Sequence, residues 1–264
     1  MVDTRILLDD LLAEGDEVDA LVSGPGAHRW HHPTPAPGWT VAHQIAHLAW
    51  TDAQALLAAT DPDAFSRVLA RAAANPAELA DIEATRVAEQ PRDQLLAAWR
   101  TGRTALDEAL AAVPPGGRMP WFGPPMVTAS MATGRLMEYW AHGQDIADAL
   151  GVTRTPTARL RHVARLGFRA RDYAYAVHGE QPPAGEFRLE LTAPDGDSWA
   201  YGPEEAPGGR VTGPALDFCL LVTRRRHRDD LALKADSADA DHWLDIAQSF
   251  AGPAGAGRTP GQFS

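Results

Sequence analysis

The 264-residue chain contains a single cysteine, Cys219, which excludes an internal disulfide and any thiolate cluster around a metal. Any metal ligands must therefore be histidine and carboxylate. Positive charge is also in short supply. Against 35 Asp and Glu there are 24 Lys and Arg, giving a net charge of −11 and a pI near 5.3, so nucleic acid is repelled unless a local basic patch overcomes the field. The one dense basic run, Arg224 to Arg228, meets Asp229 and Asp230 at once and reads as a solvated helix end, so no nucleic-acid partner is expected. No apolar stretch approaches the roughly 18 residues of a membrane span. The start, Met1-Val-Asp-Thr-Arg-Ile6, lacks the basic-then-apolar pattern of a leader, so the expected location is the cytoplasm, with no membrane partner.

Hydrophobic residues at 45% and charged residues at 22% are what a globular chain carries, and the length allows one large domain or two ordinary ones. Apolar spacing over Leu7, Leu8, Leu11, Leu12, Val18 and Leu21 predicts an amphipathic helix ending at the breaker Gly24-Pro25-Gly26. After a loop rich in Pro and His, Thr40 is an N-cap candidate for a helix reaching Thr60. A shorter helix is expected through Phe65, Val68 and Leu69. Pro76 suits the first turn of the next, and Pro91 separates it from a helix over 92–113. The loop 118–125 carries Trp121 and Phe122, whose rings either plug the bundle or wall the pocket of a bound cofactor.

Helical pattern returns over 127–150, with Gly151 at the expected end, and a fifth long helix is expected over 157–178. The texture then changes. Phe187 to Leu191 alternates at period two, Pro194 to Asp197 makes a turn, and Ser198 to Tyr201 reads as the returning strand. An apolar helix around 216–222, a strand at 231–234 and a last helix over 241–250 follow, before a Gly/Pro-rich tail. The expected class is α+β: a helical domain over 1–155, then a small α/β domain with a leading helix over 156–264.

Two short stretches stand out. Val41-Ala-His-Gln-Ile-Ala-His47 and Glu138-Tyr-Trp-Ala-His142 each place two metal-ligating side chains four residues apart, which on a helix stacks them on one face. Either pair alone is a common accident. His47, Glu138 and His142, however, lie among apolar and aromatic neighbours, where unpartnered polar groups are costly, and a shared ion is one way to satisfy them. Only a fold that sets the two helices side by side can join them. His43, one turn before His47, could be a further ligand, a partner of a ligand or a surface residue. Asp145, near the same face as Glu138, could orient a ligand histidine. Arg135 is expected to form a surface ion bridge with Glu138. His28, His31, His32, His162, His178, His227 and His242 lack paired spacing and are expected at the surface or as caps.

Residues 33–48 (PTPAPGWTVAHQIAHL) and 136–151 (LMEYWAHGQDIADALG) resemble the actinobacterial mycothiol-dependent maleylpyruvate isomerase family, within the DinB-like metal-binding bundle superfamily. The stretch from Val211-Thr-Gly-Pro onward is similar to that family's C-terminal domain. The resemblance implies a DinB-like four-helix bundle with a small α/β appendage. It implies a divalent metal, usually zinc, on His47, Glu138 and His142; the same ligand set also suits iron or nickel. It further implies mycothiol as the thiol cofactor, a small electrophilic acid as substrate, and an arginine from the C-terminal domain, for which Arg224 and Arg225 are the nearest positions. In that chemistry the thiolate adds to an electrophilic carbon, as an isomerase that later expels the thiol or as a transferase that keeps the thioether. Cys219, in an apolar helix, is expected in the core and so leaves room for an external thiol. A thiol-independent metal hydrolase or cyclase and a non-catalytic metal-binding protein are the other readings of the same residues. The site is expected to open at one end of the bundle beside the Trp121-Phe122 loop. Substrate identity and oligomeric state are not legible in the sequence.

Overall fold

A computed structural model describes residues 4–24, 27–72, 76–253 and 255–263, and divides the chain into two compact units, Met1–Thr153 and Arg154–Ser264. Of the expected breaker after the first helix, Pro25 and Gly26 lie outside the described residues, as do Met1 to Asp3 of the start and Ala254 and Ser264 of the tail.

The first unit is helical. Its elements are α1 (Thr4–Ser23), α2 (Val41–Thr60), α3 (Pro62–Ala72), α4 (Pro76–Ala88), α5 (Arg92–Ala112) and α6 (Thr128–Leu150). α1 packs against α6 and α5, and α2 packs against α5 and α6, closing a four-helix bundle; α3 and α4 bridge α2 to α5 and lean on α2. Leu7, Leu8, Leu11, Val18 and Val22 of α1 are all buried, at 5% exposure or less. Each such side chain contributes about 1.5–3 kcal/mol of transfer free energy, far more than the few tenths that separate helix propensities. Packing of the apolar stripes therefore sets the bundle. Proline and glycine set its joints: Pro91 stands at the N-cap of α5, and Gly151 ends α6 in the left-handed region at φ 67°. Between α5 and α6 the expected loop is a small hairpin, β1 (Arg118–Met119) and β2 (Met126–Val127), paired antiparallel, whose tip carries Trp121 and Phe122.

The second unit opens on α7 (Leu160–Arg169) and α8 (Arg171–Val177) rather than on one long helix. The break falls at Ala170, where ψ is 6°. No Pro or Gly marks it in the sequence. α7 packs on one later helix, α9 (Ala215–Val222), and α8 on another, α10 (Ala238–Ile246), so tertiary contacts bend the segment. The sheet has order β4-β3-β5-β6, with β3 (Phe187–Thr192) antiparallel to β4 (Ser198–Tyr201), parallel to β5 (Gly209–Pro214), and β5 antiparallel to β6 (Lys234–Ala235). Phe187, Leu189 and Leu191 face inward at period two. β5 lacked a strand signal because Gly and Pro occupy several of its positions. It pairs through its backbone on both sides, and Gly209 takes φ 115° where a Cβ would collide with Ser237. Ser237 in turn caps α10, its hydroxyl accepting from the Ala240 N–H at 3.1 Å, so that helix begins three residues before the expected start. It stops at Ile246, short of Phe250, because Ala247 is extended at ψ 129°. Of the expected strand at 231–234 only Lys234 is in a strand, the short β6, and a 3-10 turn, Arg228–Asp230, precedes the irregular residues 231–233.

Candidate metal centre

α2 begins where Thr40 and His43 close a capping box: His43 Nδ1 lies 3.3 Å from the Thr40 N–H and 2.8 Å from its hydroxyl. His43 is thus engaged by the helix start. One turn on, His47 faces α6. Its Nε2 lies 3.1 Å from Glu138 Oε2, and His142 Nε2 lies 3.1 Å from the same oxygen. These three atoms lie within 4.8 Å of one another, and they form the one such cluster among the described residues. The two imidazole rings are 4.5 Å apart, and Trp39 covers them, stacked on His142 at 5.9 Å and tilted over His47 at 5.3 Å. The Glu138 side chain is 22% exposed and each imidazole 12%, so the group is sheltered but reachable.

Two imidazole nitrogens facing one carboxylate oxygen can each donate an N–H to it or, with their lone pairs turned inward, share one cation with it. With protonated imidazoles, burial would raise the Glu138 carboxyl, but the hydrogen bonds and charges of His142 and His47 outweigh it and hold it well below the usual range. His47 Nδ1 is buried with no hydrogen-bond partner. His142 Nδ1 is bonded to Gln44 Oε1, and Gln44 Nε2 donates to Thr34 Oγ1 at 2.9 Å. Gln44 is fully buried. Sequence reasoning did not single it out, because glutamine carries no ligand signal; its spacing of three before His47, on the same helix face, is the only trace.

The family described as mycothiol maleylpyruvate isomerase N-terminal domain matches residues 11–147, a span that holds α2 and both Glu138 and His142 of α6. The chain belongs to this family. Two uncharacterized proteins of Mycobacterium tuberculosis, from strains CDC 1551 and H37Rv, are each 55% identical over 258 residues, covering 98% of this chain and 100% of the relative. Among solved structures, the fold is similar to that of a mycothiol-dependent maleylpyruvate isomerase, at TM-score 0.62 and 14% identity, with 89% of this chain and 93% of that one covered. A histidine-to-alanine mutant of such an isomerase is similar at TM-score 0.61 and 15% identity, with the same coverage. A family described as wyosine base formation matches residues 183–236, which span β3 to β6 and include none of the three converging residues.

Within this isomerase-family bundle the other singled-out residues are placed as follows. Arg135 does not bridge to Glu138 at the surface. It is buried, its Nε donating to Asp52 Oδ1 at 3.0 Å and its Nη2 to Thr51 Oγ1 at 2.6 Å. Tyr139 OH donates to Asp52 Oδ2 and accepts from Trp99 Nε1 at 2.8 Å. The i,i+3 spacing to Glu138 misled because Arg135 follows the inward stripe of α6, where a carboxylate from α2 was already waiting. Asp145 is also buried on α6. His162 is buried, at 3% exposure, rather than at the surface. Trp121 stacks on Phe65 at 5.7 Å with rings 3° from parallel, and Phe122 stacks on Trp50 at 5.9 Å. Trp50 lies three residues after His47, so the hairpin tip packs on the same helix as the cluster.

In the second unit, Arg224 has the only positive φ of a non-glycine among the described residues, 58°. Its half-buried guanidinium meets no carboxylate among them, and burial pushes its pKa down. It lines a cavity of about 130 Å³ with Arg226, His227, Arg228 and Arg258. Arg225 Nη1 donates to the Thr223 carbonyl at 2.6 Å. Cys219 is fully buried, and burial raises its thiol well above the ordinary value, so it stays a thiol. No described helix is long and apolar enough to cross a membrane.

Proposed function

We propose that the protein is a metal-dependent enzyme of the mycothiol-dependent isomerase or S-transferase type, activating a low-molecular-weight thiol for addition to an electrophilic small-molecule acid. The observation that carries this is the convergence of His47 Nε2, Glu138 Oε2 and His142 Nε2 from two helices; three protein donors would leave a tetrahedral ion one position for an outside ligand. A divalent ion held there, zinc first and iron or nickel by the same donors, would lower the pKa of a coordinated thiol and so supply a thiolate at neutral pH. The chain's own residues do the rest. Trp39 closes one side of the imidazoles and keeps water from them, while the 22% exposure of Glu138 leaves the approach open. Arg224 and Arg225 are proposed to hold the acid; Arg224 supports this as a half-buried cation without a carboxylate partner, held in a strained backbone conformation. Trp121 and Phe122 are proposed to border the thiol cofactor from the hairpin tip.

The test begins with metal. Zinc content after purification and zinc titration by calorimetry should be high for the parent and for His178→Ala, an exposed histidine, and largely lost in His47→Ala and Glu138→Ala. Equal retention in all four proteins would overturn the site. With the metal-loaded parent, mycothiol should bind, and the apo-protein should bind it at least tenfold more weakly. A metal effect without any thiol effect would instead favour a thiol-independent hydrolase or cyclase.

A further inference from the structure

Gln44 does not reach the cluster centre, yet a directed chain of hydrogen bonds runs through it. Trp39 O accepts from both the Thr34 N–H at 2.8 Å and the Thr34 hydroxyl at 2.9 Å. The hydroxyl proton of Thr34 is therefore spent on Trp39, and toward Gln44 its oxygen can only accept. Gln44 must then present its NH₂ to Thr34, at 2.9 Å, and its carbonyl oxygen to His142 Nδ1. Flipping the amide would set two acceptors face to face at Thr34, in a site where Gln44 is fully buried and no solvent can make up the loss. The neutral His142 ring has one N–H, and the Gln44 carbonyl draws it to Nδ1. Nε2 faces Glu138 Oε2 at 3.1 Å, where its lone pair is tolerated against the carboxylate only with a second proton or a cation between them. His47 has no such constraint, since its Nδ1 is buried without a partner.

We infer that Gln44 is a positioning residue, which through the Trp39–Thr34–Gln44 chain keeps a proton on His142 Nδ1 and so makes Nε2 the nitrogen given to a metal, while His47 adjusts on binding. This rests on the proposed metal site, and deepens it by ranking the two imidazoles. The same chain ties the loop bearing Trp39, which stacks on the His142 ring, to the interior of α2, so ring orientation and ring cover are set together.

The experiment uses the full chain labelled with ¹⁵N at histidine. In metal-free protein, long-range ¹H–¹⁵N spectra should show a proton held on His142 Nδ1 in the parent, alone or together with a second one on Nε2 shared with Glu138, and a proton on Nε2 alone in Gln44→Leu, which keeps the volume but removes the acceptor. Zinc affinity should fall about 10- to 100-fold in Gln44→Leu, and Gln44→Glu, which restores an acceptor, should recover most of it. Thermal unfolding of the metal-free variants separates this from misfolding, because the Leu and Glu variants both lose the Thr34 donor, yet only Leu should lose affinity. A parent His142 protonated on Nε2 alone would overturn the inference, as would parental zinc affinity in Gln44→Leu, even with the metal site intact. Zinc binding that survives His47→Ala would instead sink the underlying site.

Discussion

Replacing Arg135 by methionine should destabilise the helical unit by about 3–5 kcal/mol, the usual cost of stranding one member of a buried ion pair. The Arg135 side chain is 4% exposed and that of Asp52 1%, so water cannot substitute for the lost guanidinium. Two donors vanish, one to Asp52 Oδ1 at 3.0 Å and one to Thr51 Oγ1 at 2.6 Å, and Asp52 keeps only the Tyr139 hydroxyl. For a unit of this size that corresponds to roughly 6–20 °C in Tm, at about 2–4 °C per kcal/mol. The loss should also depend on pH. Burial already pushes the Asp52 carboxyl up, and Arg135 is the largest counterweight. Without it the folded-state pKa rises further above the unfolded value, so the protonated form favours the variant's fold at low pH and that support is lost as pH rises through the raised pKa. The deficit of Arg135→Met should therefore be smaller near pH 5 than near pH 8. Urea unfolding followed by tryptophan fluorescence, with Trp99 inside the network, reads it directly. The double variant Asp52→Leu with Arg135→Met, which removes both charges, should be more stable than Arg135→Met alone. A single variant within about 1 kcal/mol of the parent, or a double variant less stable than the single, would refute the reasoning.

Asp19 of α1 is held below its usual carboxyl range chiefly by the Arg100 hydrogen bond, against burial and with help from Ser23 and the charges of Arg100 and Arg103. Since its folded pKa is depressed, the pair stabilises above the unfolded carboxyl value near 4 and is lost as pH falls through the folded one. Arg100→Gln should cost about 0.5–1 kcal/mol at pH 7 and almost nothing near pH 3, by parallel urea titrations. Equal costs at both values would count against it. In the second unit, Gly167 of α7 faces Val222 of α9, where an added Cβ would sit 2.7 Å from Val222 Cγ2. Gly167→Ala should cost about 1–3 kcal/mol, and Val222→Ala in the same chain should return part of that; a harmless single substitution, or no recovery, would show that the helices are less closely apposed than described.

The four long helices of the bundle were legible because their evidence is contiguous: Thr40 before α2, Pro91 before α5 and Gly151 after α6 each act within a turn of their own position. β3 and β4 were legible for the same reason, through alternation and the turn between them. β5 was not, because its pairing is made by backbone groups and its Gly and Pro hide the pattern; nor was the break at Ala170, which comes from two halves packing on different helices. In the candidate site, the i,i+4 spacing picked out Glu138 and His142, and the apolar company of His47 marked it as a residue in need of partners. The role of His43 at the helix start was open among several readings, and local spacing could not decide among them.

Spacing along a helix determines which side chains share a face, so the sequence alone could nominate His47 with Glu138 and His142, and could exclude thiolate ligands through its one cysteine. It could not assign partners across the 91 residues that separate His47 from Glu138. That Arg135 turns inward to Asp52 rather than outward to Glu138, and that Gln44 meets His142, was decided only when α2 packed against α6. A hydrogen bond is satisfied by whichever group lies within about 3 Å of it in space, and chain order carries no record of that distance.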